Sequence, residues 1–300
     1  MQHILTLITD PHNAMLTARQ TNAVRDALAL SRGRVGPVDW LDQGIACDIP
    51  FDDVAPAEAV KAAKTALRNT PIDVLVLNPE NRRKKALIAD MESTIIRNEM
   101  LDEIAFEADI GDQVADITRR AMNGEIDFRG ALRERVALLK GQPAALLEKA
   151  AEKIRLMNGA QVLLRTLKEH GVYCALVSGG FDYYTGPVAA QLGFDEHQAN
   201  HLIIADGQIS GEVREPILGR EAKLEALRRV AQQRGIDVKD CIAVGDGAND
   251  LDMLGEAGLG IAFHAKPKVQ EAARYNIRHG DLTALLYAQG YRREEISGRG

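Results

Sequence analysis

The chain has 300 residues, 46% hydrophobic and 27% charged, the balance of a globular protein with one large core or two smaller ones. A formal net charge of −6 and scarce aromatics, nowhere interleaved with Arg or Lys, argue against a nucleic-acid partner. No apolar run reaches the length of a membrane span, and "MQHILTLITDPHNAM" lacks a signal-peptide pattern, so a cytoplasmic chain with no membrane partner is expected.

The first eighty residues alternate strand and helix patterns. "HILTLIT" reads as a strand, and "TARQTNAVRDALAL" as a helix with apolar positions three and four apart. "VDWL", a "DQG" turn and "IACDIPF" read as a hairpin, "PAEAVKAAKTALRN" as a second helix opened by Pro56, and "IDVLVLN" as a closing strand. The order βαββαβ is that of a split ferredoxin-like unit over residues 1–80. The polar stretch "NPENRRKKA" follows. Its Arg82, Arg83, Lys84 and Lys85 read as a solvated linker, because four charges fall short of a basic tract.

From Ala86 onward, strands alternate with helices, as in a parallel sheet. "ALIAD", "VYCALVS", "CIAVGD", "LGIAF" and "YNIR" are the expected strands. A helical insertion, roughly residues 99–155, separates the first two and is expected to cap the strand ends. "HLIIADGQISGEV" carries a DG turn between apolar runs and reads as a β-hairpin, while the tail "RREEISGRG" is expected to be disordered. The expected fold class is α/β: a Rossmann-like parallel-sheet core with its cap over residues 81–300, preceded by the ferredoxin-like unit. Cys47, Cys174 and Cys241 each lie in an apolar run without metal-ligand spacing and are expected to be buried free thiols in a reducing compartment.

Four segments carry chemistry. "LIADMEST" runs an apolar strand into Asp90, then Glu92, Ser93 and Thr94, a set that a phosphate and a metal could share; alone it also fits an Asx-type turn. "CALVSGGF" ends a strand in Ser178, Gly179 and Gly180, whose hydroxyl and N–H groups suit a phosphate oxygen. Lys223 near the start of a helix is unremarkable by itself. "CIAVGDGANDLDML" places Asp246 and Asp250 at a strand-to-helix turn, a good hard-cation site, with Asn249 between them.

In this order the four segments resemble the motifs of haloacid-dehalogenase-type phosphohydrolases, and among these the phosphoserine phosphatase group. The likeness covers about residues 87–286, two-thirds of the chain, and includes "RNEMLDEIA" and "AMNGEIDFRGALRERVALL" of the insertion. The first eighty residues resemble an ACT-like regulatory domain in element order. The resemblance implies that Asp90 is a nucleophile forming an aspartyl-phosphate and Glu92 the general acid and base. It implies Mg2+ on Asp90, Asp246 and the backbone carbonyl of Glu92, with Asp250 orienting the metal shell. Ser178, the Gly179 N–H and Lys223 would hold phosphoryl oxygens. Glu99 and Arg135 would bind the ammonium and carboxylate of phosphoserine, Asn249 would add a polar contact, and Arg133 would point elsewhere. The family usually has Asp where this chain has Glu92, which sets the acid/base group one methylene further out. Transfer to an alcohol acceptor such as homoserine, action on another small phosphate and a non-catalytic amino-acid sensor are the alternatives. A homodimer is expected from the ACT-like unit.

Overall fold

The computed structural model describes residues 1–13, 15–68, 70–122 and 125–298. The N-terminal part runs β1 (His3–Thr9), α1 (Ala18–Leu30), β2 (Arg34–Val35), β3 (Asp39–Asp42), β4 (Ala46–Asp52), α2 (Pro56–Leu67) and β5 (Ile72–Leu77). Thr17 caps α1 in a reciprocal box with Gln20, and Pro56 opens α2 where a missing N–H costs nothing. The strands form an antiparallel sheet ordered β2-β4-β1-β5, with β3 also on β4. One face, including Leu5, Leu7, Ile49 and Phe51, packs under Val24, Leu28, Ala59 and Ala63 of the two helices.

The rest follows as β6 (Ala86–Ala89), the inserted helices α3 (Met100–Glu107), α4 (Gly111–Met122), α5 (Phe128–Ala137) and α6 (Ala145–Glu152), then α7 (Ala160–Glu169), β7 (Tyr173–Phe181), α8 (Asp182–Leu192) and β8 (Glu196–Asn200). The hairpin β9 (Leu202–Ala205) and β10 (Gln208–Val213) precedes α9 (Arg220–Arg234), β11 (Cys241–Gly245), α10 (Leu251–Glu256), β12 (Leu259–Phe263), α11 (Pro267–Ala272), β13 (Tyr275–Ile277) and α12 (Ala284–Ala288). A six-stranded sheet ordered β13-β12-β11-β6-β7-β8 results, with every pairing parallel. Strands β6, β11 and β12 are buried along their whole length, which explains their unbroken apolar runs. β8 has the polar sequence "EHQAN" and lies at the sheet's edge, so no apolar alternation announces it.

Two readings of the sequence are corrected. The segment around Arg82 is a seam, not a solvated linker. The second face of the N-terminal sheet, with Ile8, Ala46, Leu75 and Leu77, shares a core with Leu285, Leu286 and Tyr287 of α12. Arg82 crosses that seam: it pairs with Asp48 at 2.5 Å and donates to Thr6 Oγ1 and to the carbonyls of Tyr287 and Ala288. Lys84 is also buried, its ammonium donating to the carbonyls of Asn81 and Lys239. The tail is likewise ordered through Ser297: Arg292 pairs with Asp39, Ile296 is buried, and Ser297 N donates to Thr166 Oγ1. Arg299 and Gly300 lie outside the described residues.

The cysteines are free and buried, and burial pushes the thiols of Cys47 and Cys174 up to about 12 and that of Cys241 to about 11. No helix among the described residues is long and apolar enough to cross a membrane.

Candidate active site

Strand register brings the site together. β6 lies between β11 and β7, and Ala89 is level with Val244 on one side and Leu176 on the other. Asp90 and Asp246 directly follow β6 and β11, and Ser178 lies late in β7, so the three come from neighbouring parallel strands near the carboxyl edge, where ligands bind in open α/β sheets. Carboxylate oxygens of Asp90, Asp246 and Asp250 lie within 4.8 Å of one another, and all three side chains are buried. α9 adds Lys223, whose Nζ sits 2.8 Å from Asp90 Oδ1 and 2.6 Å from Asp250 Oδ1. The other oxygen of Asp250 accepts from Gly247 N at 2.8 Å. Position 245 must be glycine, since a Cβ there would come within 2.2 Å of the Asp250 carboxyl carbon.

Charge in this cluster is unbalanced. Burial alone would lower the pKa of Lys223, but Asp90 and Asp250 outweigh it and hold the ammonium charged. Burial, then Asp250 and Asp246, push the Asp90 carboxyl well above its ordinary value, with Lys223 opposing. Asp246 is raised to about 6 by burial and by Asp250 and Glu99. Its carboxylate accepts a long 3.4 Å hydrogen bond from Thr94 Oγ1. Three clustered carboxylates, hard oxygen donors facing one ammonium, fit a divalent cation, which would relieve their mutual repulsion.

Glu92 stands beside the cluster. Its Oε1 accepts from Met100 N, at the start of α3, at 2.8 Å. Burial, then the Glu99 charge, raise its pKa to about 7 against the pull of the Met100 N–H, Lys223 and Arg135. The longer side chain is accommodated at Gly180, where an added Cβ would meet Glu92 Oε2 at 2.7 Å. Ser178 is buried, and its Oγ accepts from Gly180 N at 2.9 Å.

The insertion covers these strand ends. Glu99 is exposed at the N-cap of α3 and accepts from Ser93 Oγ at 2.7 Å. Arg135, partly buried on α5, donates to the Ala131 carbonyl at 3.2 Å and feels the charges of Asp102, Glu92 and Glu99. Arg133 faces outward instead and pairs with Glu215 at 2.6 Å. Asn249 is partly buried with its side chain against Gly247, while Gly179 lies beneath the Phe128 ring, whose Cζ would be 3.0 Å from an added Cβ. An ion pair between Arg129 of α5 and Glu221 of α9 ties the insertion to the helix bearing Lys223. Phe128, Asp102 and the Arg129–Glu221 pair have no sequence signal, since each is an ordinary helix residue until the fold places it.

Residues 87–255 match the haloacid dehalogenase-like hydrolase family. The chain belongs to that family. A phosphoserine phosphatase of Streptomyces coelicolor is 38% identical over 94% of this chain and 70% of its own length. Phosphoserine phosphatase SerB2 of Mycobacterium tuberculosis is 44% identical over 87% of this chain, which spans 63% of that relative. The crystal structure of a probable phosphoserine phosphatase from Vibrio cholerae superposes with a TM-score of 0.79 at 32% identity, covering 98% of this chain and 88% of the other.

Proposed function

We propose that this hydrolase converts O-phospho-L-serine to L-serine and phosphate, the last step of serine biosynthesis, through an aspartyl-phosphate on Asp90. The observation that carries the reading is the Lys223–Asp90 pair set among Asp246 and Asp250 at the ends of adjacent parallel strands. Hydrolysis of a phosphate monoester is among the slowest uncatalysed reactions, and division into two displacements at a carboxylate lowers each barrier.

In the first displacement a carboxylate oxygen of Asp90 attacks phosphorus, and the bond from phosphorus to the serine oxygen breaks. Protonated Glu92 gives its proton to that oxygen. In the second, water attacks phosphorus, Glu92 takes the water proton, and the acyl-phosphate bond breaks to restore the Asp90 carboxylate. A pKa of about 7 keeps both forms of Glu92 populated near neutral pH, as a group that donates and then accepts requires. Lys223, the Ser178 hydroxyl and the Gly179 N–H hold the phosphoryl oxygens as charge redistributes. Asp90, Asp246 and the Glu92 backbone carbonyl would hold Mg2+, with Asp250 helping to orient that site. A divalent cation bound there would offset the repulsion between carboxylate nucleophile and phosphate.

Glu99 binds the substrate ammonium, Arg135 its carboxylate, and Asn249 adds a polar contact. Residues 81–300 form the catalytic unit, with residues 99–155 as its cap. Residues 1–80 form an ACT-like unit, and the enzyme is a cytoplasmic homodimer. That relatives bear the name phosphoserine phosphatase supports water, not homoserine, as the acceptor here. The reading is tested by measuring phosphate release from phosphoserine and a panel of other phosphomonoesters, with and without Mg2+ and an added alcohol. Fast, Mg2+-dependent release selective for phosphoserine supports it. Equal rates across the panel, or transfer to the alcohol in place of release, overturn it.

A further inference from the structure

A cavity of about 550 Å³ opens where α2 and β5 meet β13. β5 and β13 are each the last strand of their sheet, so the cavity bridges the N-terminal and parallel sheets. None of its lining residues belongs to the carboxylate cluster. Its floor is aliphatic, with Val60, Leu67, Val74 and Val76.

The rim is cationic. Its cations are Lys64 from α2 and Arg274 and Arg278 flanking β13, with His279 beside them; all four are exposed. Among the described residues, none of these four side chains has an ion-pair partner. Asp73, the acidic residue in the lining, is buried and already engaged: it accepts from the backbone N–H groups of Arg278, His279 and Gly280 at 2.8, 3.1 and 2.8 Å. It fixes the turn after β13 and its charge acts on His279, while Lys64, Arg274 and Arg278 have no acidic partner among the described residues.

Two lining residues also carry polar atoms, Asn276 Oδ1 and Thr70 Oγ1, that are buried without a hydrogen-bond partner among the described residues. Such atoms are rare in folded proteins, because the lost hydration has no return. The Asn276 amide nitrogen donates to the carbonyls of Gln270 and Ala273 at 3.0 and 3.2 Å, which fixes the amide at the cavity wall.

The geometry points to a binding site for a small organic anion. Its carboxylate or phosphate meets Lys64, Arg274 and Arg278, and its apolar body lies on the valine floor. The volume falls within the range of small-molecule sites, and charge complementarity excludes a cationic occupant. Because Lys64 lies on α2 of the N-terminal part and Arg278 follows β13 of the parallel sheet, the ligand clamps one part against the other.

The test uses the full-length chain and the fluorescent anion anilinonaphthalenesulfonate, which couples an apolar ring system to one negative group and carries no phosphate to hydrolyse. Saturable binding of one equivalent is expected, displaced by benzoate. Lys64→Glu and Lys64→Glu/Arg278→Glu should each weaken it by about tenfold or more while phosphoserine hydrolysis stays unchanged. Asp90→Asn should leave dye binding as it was. Non-saturable fluorescence, binding indifferent to both charge reversals, or binding lost in Asp90→Asn overturns the proposal.

Discussion

Lys223 reaches from α9 to place its ammonium 2.8 Å from Asp90 and 2.6 Å from Asp250, and each of these side chains is nearly sealed from water. Removing the ammonium leaves two buried carboxylates facing each other. Lys223→Met is therefore expected to lose about 10²–10³-fold in turnover and about 3–5 kcal/mol of stability in metal-free buffer. Urea denaturation with EDTA and then with Mg2+ checks this, since the cation should return much of the loss. Unchanged stability in EDTA would contradict the pairing.

Glu92 and Gly180 are predicted to be coupled through contact. Glu92→Gln keeps the shape of the side chain but cannot exchange a proton, so most turnover goes, while Asp90→Asn abolishes it. Gly180→Ala should lower kcat by about 10-fold or more, because its methyl group displaces the carboxylate that catalysis must position. Steady-state kinetics on the three variants decides; near-normal rates in Glu92→Gln would remove it from the chemistry.

The metal-free protein should lose stability as pH rises. In the folded chain Glu92 titrates at about 7 and Asp246 at about 6, above their ordinary values of 4.5 and 3.8. The folded state thus holds more protons than the unfolded state across that window. Stabilisation is complete below the unfolded values and fades as pH climbs through the folded ones. Melting temperatures in EDTA should fall between about pH 5 and about pH 7.5, and Mg2+ at the upper pH should reverse the fall. A flat profile in EDTA would contradict the strained carboxylate cluster.

At the seam, Arg82 satisfies Asp48 and three other acceptors. Arg82→Ala leaves Asp48 buried without its charge partner, for an expected loss of about 3–5 kcal/mol. Chemical denaturation of this variant beside Arg83→Ala, whose partner Glu295 is less buried, makes the comparison. Equal small effects would mean that the seam is as wet as its composition suggests.

That last contrast marks what the sequence can and cannot carry. The central strands were legible because burial on both faces writes a continuous apolar run, and the β9–β10 hairpin because Asp206-Gly207 punctuates it. Composition alone cannot separate a solvated arginine from one whose partners arrive from remote segments. Arg82 was misread for that reason, as was the tail, where Ile296 finds its pocket only after folding. The same division holds in the site. Asp90 and Asp246 just past their strands and Ser178 late in β7 stand in a readable order, and register then unites them. Phe128 and Asp102 emerge only from the packing of α3 and α5 over those ends.

The most direct measurement is acid quench of the enzyme during turnover of radiolabelled phosphoserine with Mg2+, followed by peptide mapping. The account predicts an acid-stable, alkali-labile label on Asp90 alone, absent from Asp90→Asn. Phosphate release with no covalent label, or a label on any other residue, would contradict it.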